Sequence, residues 1–598
     1  MHKDKSNNQE FSKFLNLLFA NSDFEGVIKE CVFFLKNNEA DSLILNYLGL
    51  SHLKLKNYLE ASNVFKDAIK KDANNSYLYQ NLAQAYIGAK NNFSAIKALM
   101  RCINKNNLII SAYLGAYRLL NSKSSKNKIL QKMIRNINFT KIPIPADFFS
   151  FLIKNYEFKI GISICKELLK KQNNNYILHH LLGQLYFLNQ ELELAVLCQK
   201  KTISLKPNFY SAYYDLGEIY KTLGNLEESK NNYMLALRKN TDIVNGELHR
   251  SFSSVYKYQT LSDSHIQQMK QYLESSNVKL EDKTQIKFAL AKAYEDVKEY
   301  DLSFKLLEEA NHSHYQALNY SSDFFIKEVN IFKNFHLKFK NKFSNCINLG
   351  FSEYAPIFII GLPRSGSTLV EQIISSHSQV TSYGESKAFG HSLSNYLNVI
   401  DINLFEKQLN EVTETFFYKI GKEYCLTINN NHSYKTFTDK MLFNFCYLGL
   451  IKYSLPNAKI INCVRDYRDI YLSIYKNYFS EAKMGFSFNK RELLYFIQFF
   501  HESIQFWQKE LNTHIHNLHY ENLINSPKEE IKKILNFCNL SWEDECMHFY
   551  ENKSQVRTVS SAQVRQNFYS SSVELWRKYE SYLQEEFQKL ELLMNKSV

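Results

Sequence analysis

Small and large residues recur along the first half of the chain with one long period. Gly49 and Ala83 are 34 residues apart, as are Ala61 and Ala95, and Ala68 and Cys102. The spacing returns at Gly183 and Gly217, Ala195 and Ser229, and Thr202 and Ala236. Ala291, Ser303 and Ala310 keep the same internal steps of 12 and 7. Between these positions stand large side chains such as Tyr47, Leu48, Tyr58 and Phe65. Apolar residues at helical spacing, with few breakers, predict paired antiparallel helices. Small residues let two helices approach, and the large ones fill the space between. Residues 107–170 are helical in character but lose the register, and 11–40 look like a worn first copy that would cap the array.

From residue 350 the pattern changes. PIFII (356–360) is a short unbroken apolar run, followed by a polar loop and a helical pattern from about Thr368 to His377. AKIINCV (458–464) repeats the arrangement, with a helix predicted from about Tyr467 to Tyr478, and HNLHY (516–520) is a third candidate strand. Strand, loop and helix in succession predict an α/β domain with a parallel sheet. The expected organisation is a helical repeat region over 1–315, degenerate at 107–170, a helical connector or hinge over 316–350, and an α/β domain over 351–598.

Composition narrows the function classes. The chain has 598 residues, 45% hydrophobic and 22% charged, which fits a folded protein of several domain-sized units. A formal charge of +13 suits an anionic ligand, but the basic residues are scattered and no dense basic run interleaves with aromatics. This argues against nucleic acid as partner. The ten cysteines include no C-x-x-C pair and no His/Cys cluster at zinc spacing, so no metal is expected and a reducing compartment is. His377, His391 and His519 show no paired spacing and read as structural or surface residues. FSKFLNLLFA, near the N-terminus, is too short and interrupted for a signal peptide. No run reaches the roughly 20 apolar residues of a membrane span, so a cytoplasmic location is expected.

The chemistry concentrates in GLPRSGST (361–368). Gly361, Gly366 and Thr368 occupy the glycine and hydroxyl places of a phosphate-binding loop, G-x-x-x-x-G-K-[ST]. The lysine place holds Ser367, and Arg364 supplies a cation from inside the loop. A loop between a strand and a helix N-terminus presents N–H groups and positive potential to an anion. Ser365, Ser367 and Thr368 add hydroxyls, and Arg364 can grip an anion bidentately. Without the lysine, the loop fits a triphosphate–Mg²⁺ mechanism poorly. Arg465 follows the second strand, and Ser473 lies eight residues on, about two helical turns away. A second anion could lie across both. The local alternative has Asp466 capping the helix while Asp469 pairs with Arg465 or Arg468.

Two resemblances sharpen these readings. The 34-residue period resembles the tetratricopeptide repeat, which implies an α-solenoid with a concave groove for peptides or proteins. GLPRSGSTLVEQIISSHSQV resembles the 5′-phosphosulfate-binding loop of sulfotransferases related to protein-tyrosine sulfotransferases. CVRDYRDIYLSIY resembles the family's 3′-phosphate segment, with Tyr467 where the family commonly has Pro. SYGES, FTDKMLFNF, LHYENLINSP and VRTVSSAQVRQNFYSSSVELWRKYE follow members that carry such repeats.

The resemblance, over roughly 285–580, implies transfer of a sulfuryl group from 3′-phosphoadenosine 5′-phosphosulfate (PAPS) to a hydroxyl. It implies Glu385 as general base and Lys440 as charge stabiliser, oriented by Asp439, with Arg364 of the loop also among the catalytic residues. Arg364, Ser365, Gly366, Ser367 and Thr368 would hold the 5′ end, and Arg465 and Ser473 the 3′-phosphate. Tyr520 would stand near the adenosine, or in the core. Ser561, Arg565 and Trp576 would form a C-terminal lid, with Trp576 stacking on adenine. Protein tyrosine is the implied acceptor, presented by the repeat groove, with glycan, lipid and small-molecule hydroxyls as alternatives. A homo-oligomer is also compatible with the sequence. A P-loop kinase acting on ATP–Mg²⁺ and a repeat scaffold with an inactive domain are the competing readings.

Overall fold

The computed structural model describes residues 2–39, 41–120, 123–137, 148–155, 157–240, 244–318, 320–343, 349–397, 402–428, 434–511, 514–552, 563–565, 567–568 and 573–595. The chain forms two compact units, residues 1–181 and 182–598.

The first unit is helical. Ser42–Lys54 packs on Tyr58–Lys71, and Ser76–Gly88 on Asn92–Lys105. The predicted small positions Ala61, Ala68, Ala83, Ala95 and Cys102 are all buried. Residues 107–170, where the period fails, still contain the helices Ile110–Leu119, Lys123–Asn136, Phe148–Lys154 and Phe158–Leu169.

The second unit joins further helical pairs to the sheet domain. Tyr210–Thr222 packs on Leu226–Lys239, and Leu280–Asp296 on Tyr300–Leu318. At Gly217 a Cβ would come within 2.4 Å of the Tyr233 ring, so the small residue is a steric requirement. Twelve residues after each first-helix position, a serine hydroxyl donates to the facing carbonyl: Ser229 to Gly217 and Ser303 to Ala291, both at 2.8 Å.

The core runs on past residue 315. Phe288, Ala291, Phe304, Leu307 and Ala310 share one cluster with Phe358, Phe437, Ile460 and Tyr471 of the sheet domain. The 316–350 stretch is helical at Asp323–Phe343, and that helix buries Val329, Phe332 and Phe335 in the same cluster. It is thus packed rather than a free hinge.

Among the described residues the sheet has five parallel strands: β1 (Ala355–Gly361), β2 (Val380–Ser382), β3 (Thr436–Asp439), β4 (Lys459–Val464) and β5 (Ile515–His519). Their order is β2-β3-β1-β4-β5. β1, β4 and β5 match the predicted strands within a residue or two. β2 and β3 are additional, too short and polar to stand out. Helices α1 (Ser367–Ser375) and α2 (Tyr467–Tyr475) follow β1 and β4. The chain passes from β3 over β1 to β4, so the crevice beyond the carboxyl ends of β1 and β4 is the switch point where open α/β sheets bind ligands.

Candidate active site

Each strand delivers one predicted residue to the carboxyl edge of the sheet. β1 runs into the Arg364 loop, β2 leads to Glu385, β3 to Lys440, β4 to Arg465 and β5 to Tyr520. The register explains the grouping: Gly361 pairs with Cys463, Ser382 with Thr438, and Val464 with His519, so the strand ends are neighbours.

The loop wraps the start of α1. Gly366 is left-handed (φ 93°) at the N-cap, and a Cβ there would lie 2.6 Å from the Tyr520 ring. Glycine therefore answers to both backbone and space. Arg364 is also left-handed (φ 72°), a conformation that costs a non-glycine residue about 1 kcal/mol. Such strain concentrates at functional sites. Ser365 is 1% exposed and its Oγ has no hydrogen-bond partner within the protein. A buried hydroxyl without a partner is costly, and a bound anion at the loop would satisfy it. Ser367 and Thr368 are buried in the first turn, where the helix N–H groups have no intrahelical acceptor.

Arginines tie the two loops together. Arg364 Nε donates to Ser473 Oγ at 2.9 Å, and Arg465 Nη1 donates to the Arg364 carbonyl at 3.1 Å. The Arg465 guanidinium is 8% exposed, lies 4.7 Å from the Tyr520 ring centre and faces Asp469 at 3.6 Å. Asp466 caps α2 by accepting from the Arg468 N–H. The capping and local pairing read in the sequence thus coexist with the clustering of Arg465, Arg364 and Ser473. Tyr520 lines the loop and belongs to the core at once.

On the other side of β1, Lys440 is 1% exposed, and its Nζ binds Glu385 Oε1 at 2.7 Å. Asp439 does not orient this ammonium. Its carboxylate accepts from Tyr424, the Met441 N–H and Asn444 instead, and burial pushes its carboxyl up to about 7.

The C-terminal residues depart from the expected lid. Trp576 is 4% exposed, with Arg468 3.9 Å and Arg577 4.7 Å from its ring centre and Phe587 at its edge. Its faces are occupied, so it is a core residue here and no adenine platform. Its backbone N–H, with that of Glu574, donates to Asp469, which fastens this segment to α2. Arg565 donates to the Asn552 carbonyl and packs on Gly224, and Asn552 itself binds the C-terminal turn of α1. Ser561 lies outside the described residues.

One further residue at the site carries no motif in the sequence. Glu371 of α1 is buried, and its carboxylate binds the ends of β2 and β3. The only sign in the sequence is an acid inside the apolar run LVEQII. Among the described residues, no group of three or more His, Cys, Asp or Glu side chains gathers to hold a metal ion, and no helix is long and apolar enough to cross a membrane.

Residues 356–544 match the model of the Sulfotransferase family, and 210–238 that of the tetratricopeptide repeat. Over residues 356–544 the sheet domain is similar to the sulfotransferase family. An uncharacterised protein of Aquifex aeolicus (strain VF5) is 30% identical over 64% of this chain and 52% of the relative. The chain therefore spans about half the length of that relative. A putative protein-tyrosine sulfotransferase of Caenorhabditis briggsae is 23% identical over 33% of this chain and 69% of its own. Among solved structures, the sulfotransferase domain of the Synechococcus PCC 7002 olefin synthase aligns with 42% of this chain and 96% of its own, at 15% identity and a TM-score of 0.30. The site residues just described lie within the matched sulfotransferase domain, except the C-terminal segment beyond 544.

Proposed function

We propose that the protein transfers a sulfuryl group from PAPS to an acceptor hydroxyl, with protein tyrosine as the acceptor and the repeats as the reader of the polypeptide. The observation that carries this is the convergence of two arginine-bearing loops on β1 and β4 beside a carboxylate–lysine pair on β2 and β3. The donor, when bound, supplies an activated sulfuryl group and a nucleotide leaving group.

The residues fit that donor. Arg364, the hydroxyls of Ser365, Ser367 and Thr368, and the α1 N-terminus would hold its 5′ end. Arg465 and Ser473 would hold the 3′-phosphate. Ser367 in the lysine place suits a ligand with fewer charges than a triphosphate. Glu385 would accept the proton of the acceptor hydroxyl, and Lys440 would balance the negative charge that develops beside it. In-line sulfuryl transfer, like phosphoryl transfer, asks mainly for positioning and charge stabilisation.

Titration with adenosine 3′,5′-bisphosphate should show tight binding, and ATP with Mg²⁺ should bind weakly. Labelled PAPS should pass its sulfate to a peptide set in preference to glycans. No nucleotide binding and no transfer to any acceptor would contradict the reading. Transfer to glycans alone would overturn only the tyrosine assignment.

A further inference from the structure

We propose that Glu371 is a positioning residue for the transfer step, holding the proposed base Glu385 in line with Lys440. The inference rests on the sulfotransferase reading and goes beyond it, to a residue outside both anion sites. Glu371 sits on α1, three residues after Thr368, and is 4% exposed. A carboxylate buried to this degree is costly unless it is fully engaged.

Here a single oxygen gathers three donors. Glu371 Oε1 accepts from Ser382 Oγ at 2.9 Å, from the Gly384 N–H at 3.1 Å and from Thr438 Oγ1 at 3.2 Å. These belong to the end of β2, the turn after it, and β3. The other side of the turn is held as well, because the Lys440 N–H donates to the Gly384 carbonyl at 2.9 Å. Both peptide units flanking Gly384 are therefore pinned, one by Glu371 and one by Lys440. Glu385 is the next residue, and its carboxylate meets the Lys440 ammonium at 2.7 Å.

Electrostatics points the same way. Burial raises the Glu371 carboxyl, while the Lys440 charge and the bonds from Ser382 and Thr438 oppose the rise, and Glu385 adds to it. The Lys440 charge thus acts on both carboxylates, while its ammonium is bonded to Glu385. Without Glu371, the Gly384 turn loses its anchor. Glu385 is then free to drift. A misplacement of about 1 Å at a reacting group can cost on the order of 100-fold in rate. The anion-binding loops make none of these bonds, so donor affinity is not expected to follow.

The test measures kcat, acceptor KM and adenosine 3′,5′-bisphosphate affinity side by side in the full-length protein, for the unsubstituted chain, Glu371→Met and Thr438→Val. Glu371→Met, which removes the acceptor oxygen at similar volume, should lower kcat at least tenfold, with acceptor KM and nucleotide affinity each within threefold of the unsubstituted values. Thr438→Val, which removes one donor at similar size, should lower kcat about threefold in the same pattern. If Glu371→Met fails to fold, the Thr438→Val pattern decides. Wild-type kcat in both variants, or nucleotide affinity that falls in step with kcat, would overturn the inference and leave the sulfotransferase reading intact. An unsubstituted protein that neither binds the nucleotide nor transfers sulfate would overturn that reading and this inference together.

Discussion

The helical repeats and the carboxyl edge of the sheet use polar residues in opposite ways. In the repeats one solution recurs: Ser229 and Ser303 each donate to a carbonyl 12 residues back. At the sheet edge no bond has a counterpart. Glu385 meets Lys440 across 55 residues, Arg465 meets the Arg364 carbonyl across 101, and Arg364 meets Ser473 across 109. Repetition makes a region easy to recognise and tolerant of loss at any one copy. Convergence of single, distant residues makes a site hard to read and intolerant of change. The two styles meet in the second compact unit. There Asn311 of the last helical pair donates to the Tyr475 carbonyl at the end of α2, and Tyr579 donates to Glu295.

The largest test of the contrast is a truncation. A chain beginning at residue 316 lacks Phe288, Ala291, Phe304, Leu307 and Ala310, which belong to the core of the sheet domain. It should not fold cooperatively, and adenosine 3′,5′-bisphosphate binding should vanish. A chain beginning at residue 182 keeps the whole second unit and should retain both. Circular dichroism melts and nucleotide titration would separate the cases. Equal behaviour of the two truncations would mean that the last repeats are dispensable to the site.

Arg465→Ala comes next. Loss of a buried guanidinium that bridges Tyr520, Asp469 and the Arg364 loop should weaken nucleotide binding about 10–100-fold, the range expected for one or two charge-assisted hydrogen bonds. Calorimetry would check this, and unchanged affinity would remove Arg465 from the donor site.

Asp439→Asn probes the buried carboxyl beneath the site. Its carboxyl is raised from 3.8 to about 7 by burial. The unfolded chain therefore releases this proton at lower pH than the folded one, and stability falls as pH rises from about 4 to about 7, then levels. The asparagine variant should flatten that slope, by a few kcal/mol at most across the window. Parallel slopes in urea melts of the two proteins at several pH values would contradict the assignment.

The smallest effect sets two repeat serines against each other. Ser229→Ala and Ser303→Ala should each cost about 1 kcal/mol of stability. Ser303 also lies 3.4 Å from the Tyr579 hydroxyl, so its loss should lower nucleotide affinity slightly, where Ser229→Ala leaves it alone. Equal affinity in both would place the repeat wholly outside the site's support.

Much of this is legible in the chain itself. The 34-residue period announces paired helices because small residues must recur wherever two helices touch. Strands β1, β4 and β5 announce themselves as unbroken apolar runs. β2 and β3 do not, because VTS and TFTD are short and polar and owe their strand state to neighbours already in the sheet. At the strand ends, Arg364 and Arg465 are marked by the loop and the strand that carry them, whereas Glu385 and Lys440 were reached through family resemblance, since nothing local marks them. Glu371 stayed hidden because an acid in a helix reads as a solvated face until its partners, 11, 13 and 67 residues away, are seen around it. Trp576 misled because an indole suggests a stacking platform, and only the fold shows Arg468 and Arg577 already on its faces.

The most direct measurement is a paired one on Glu385→Gln. Sulfate transfer from labelled PAPS to the best peptide acceptor should fall by a factor of about 100 or more, as for loss of a general base, while adenosine 3′,5′-bisphosphate affinity stays within threefold of the unsubstituted protein. Transfer at the unsubstituted rate would contradict the division of the sheet edge into donor-holding loops on β1 and β4 and a transfer pair on β2 and β3.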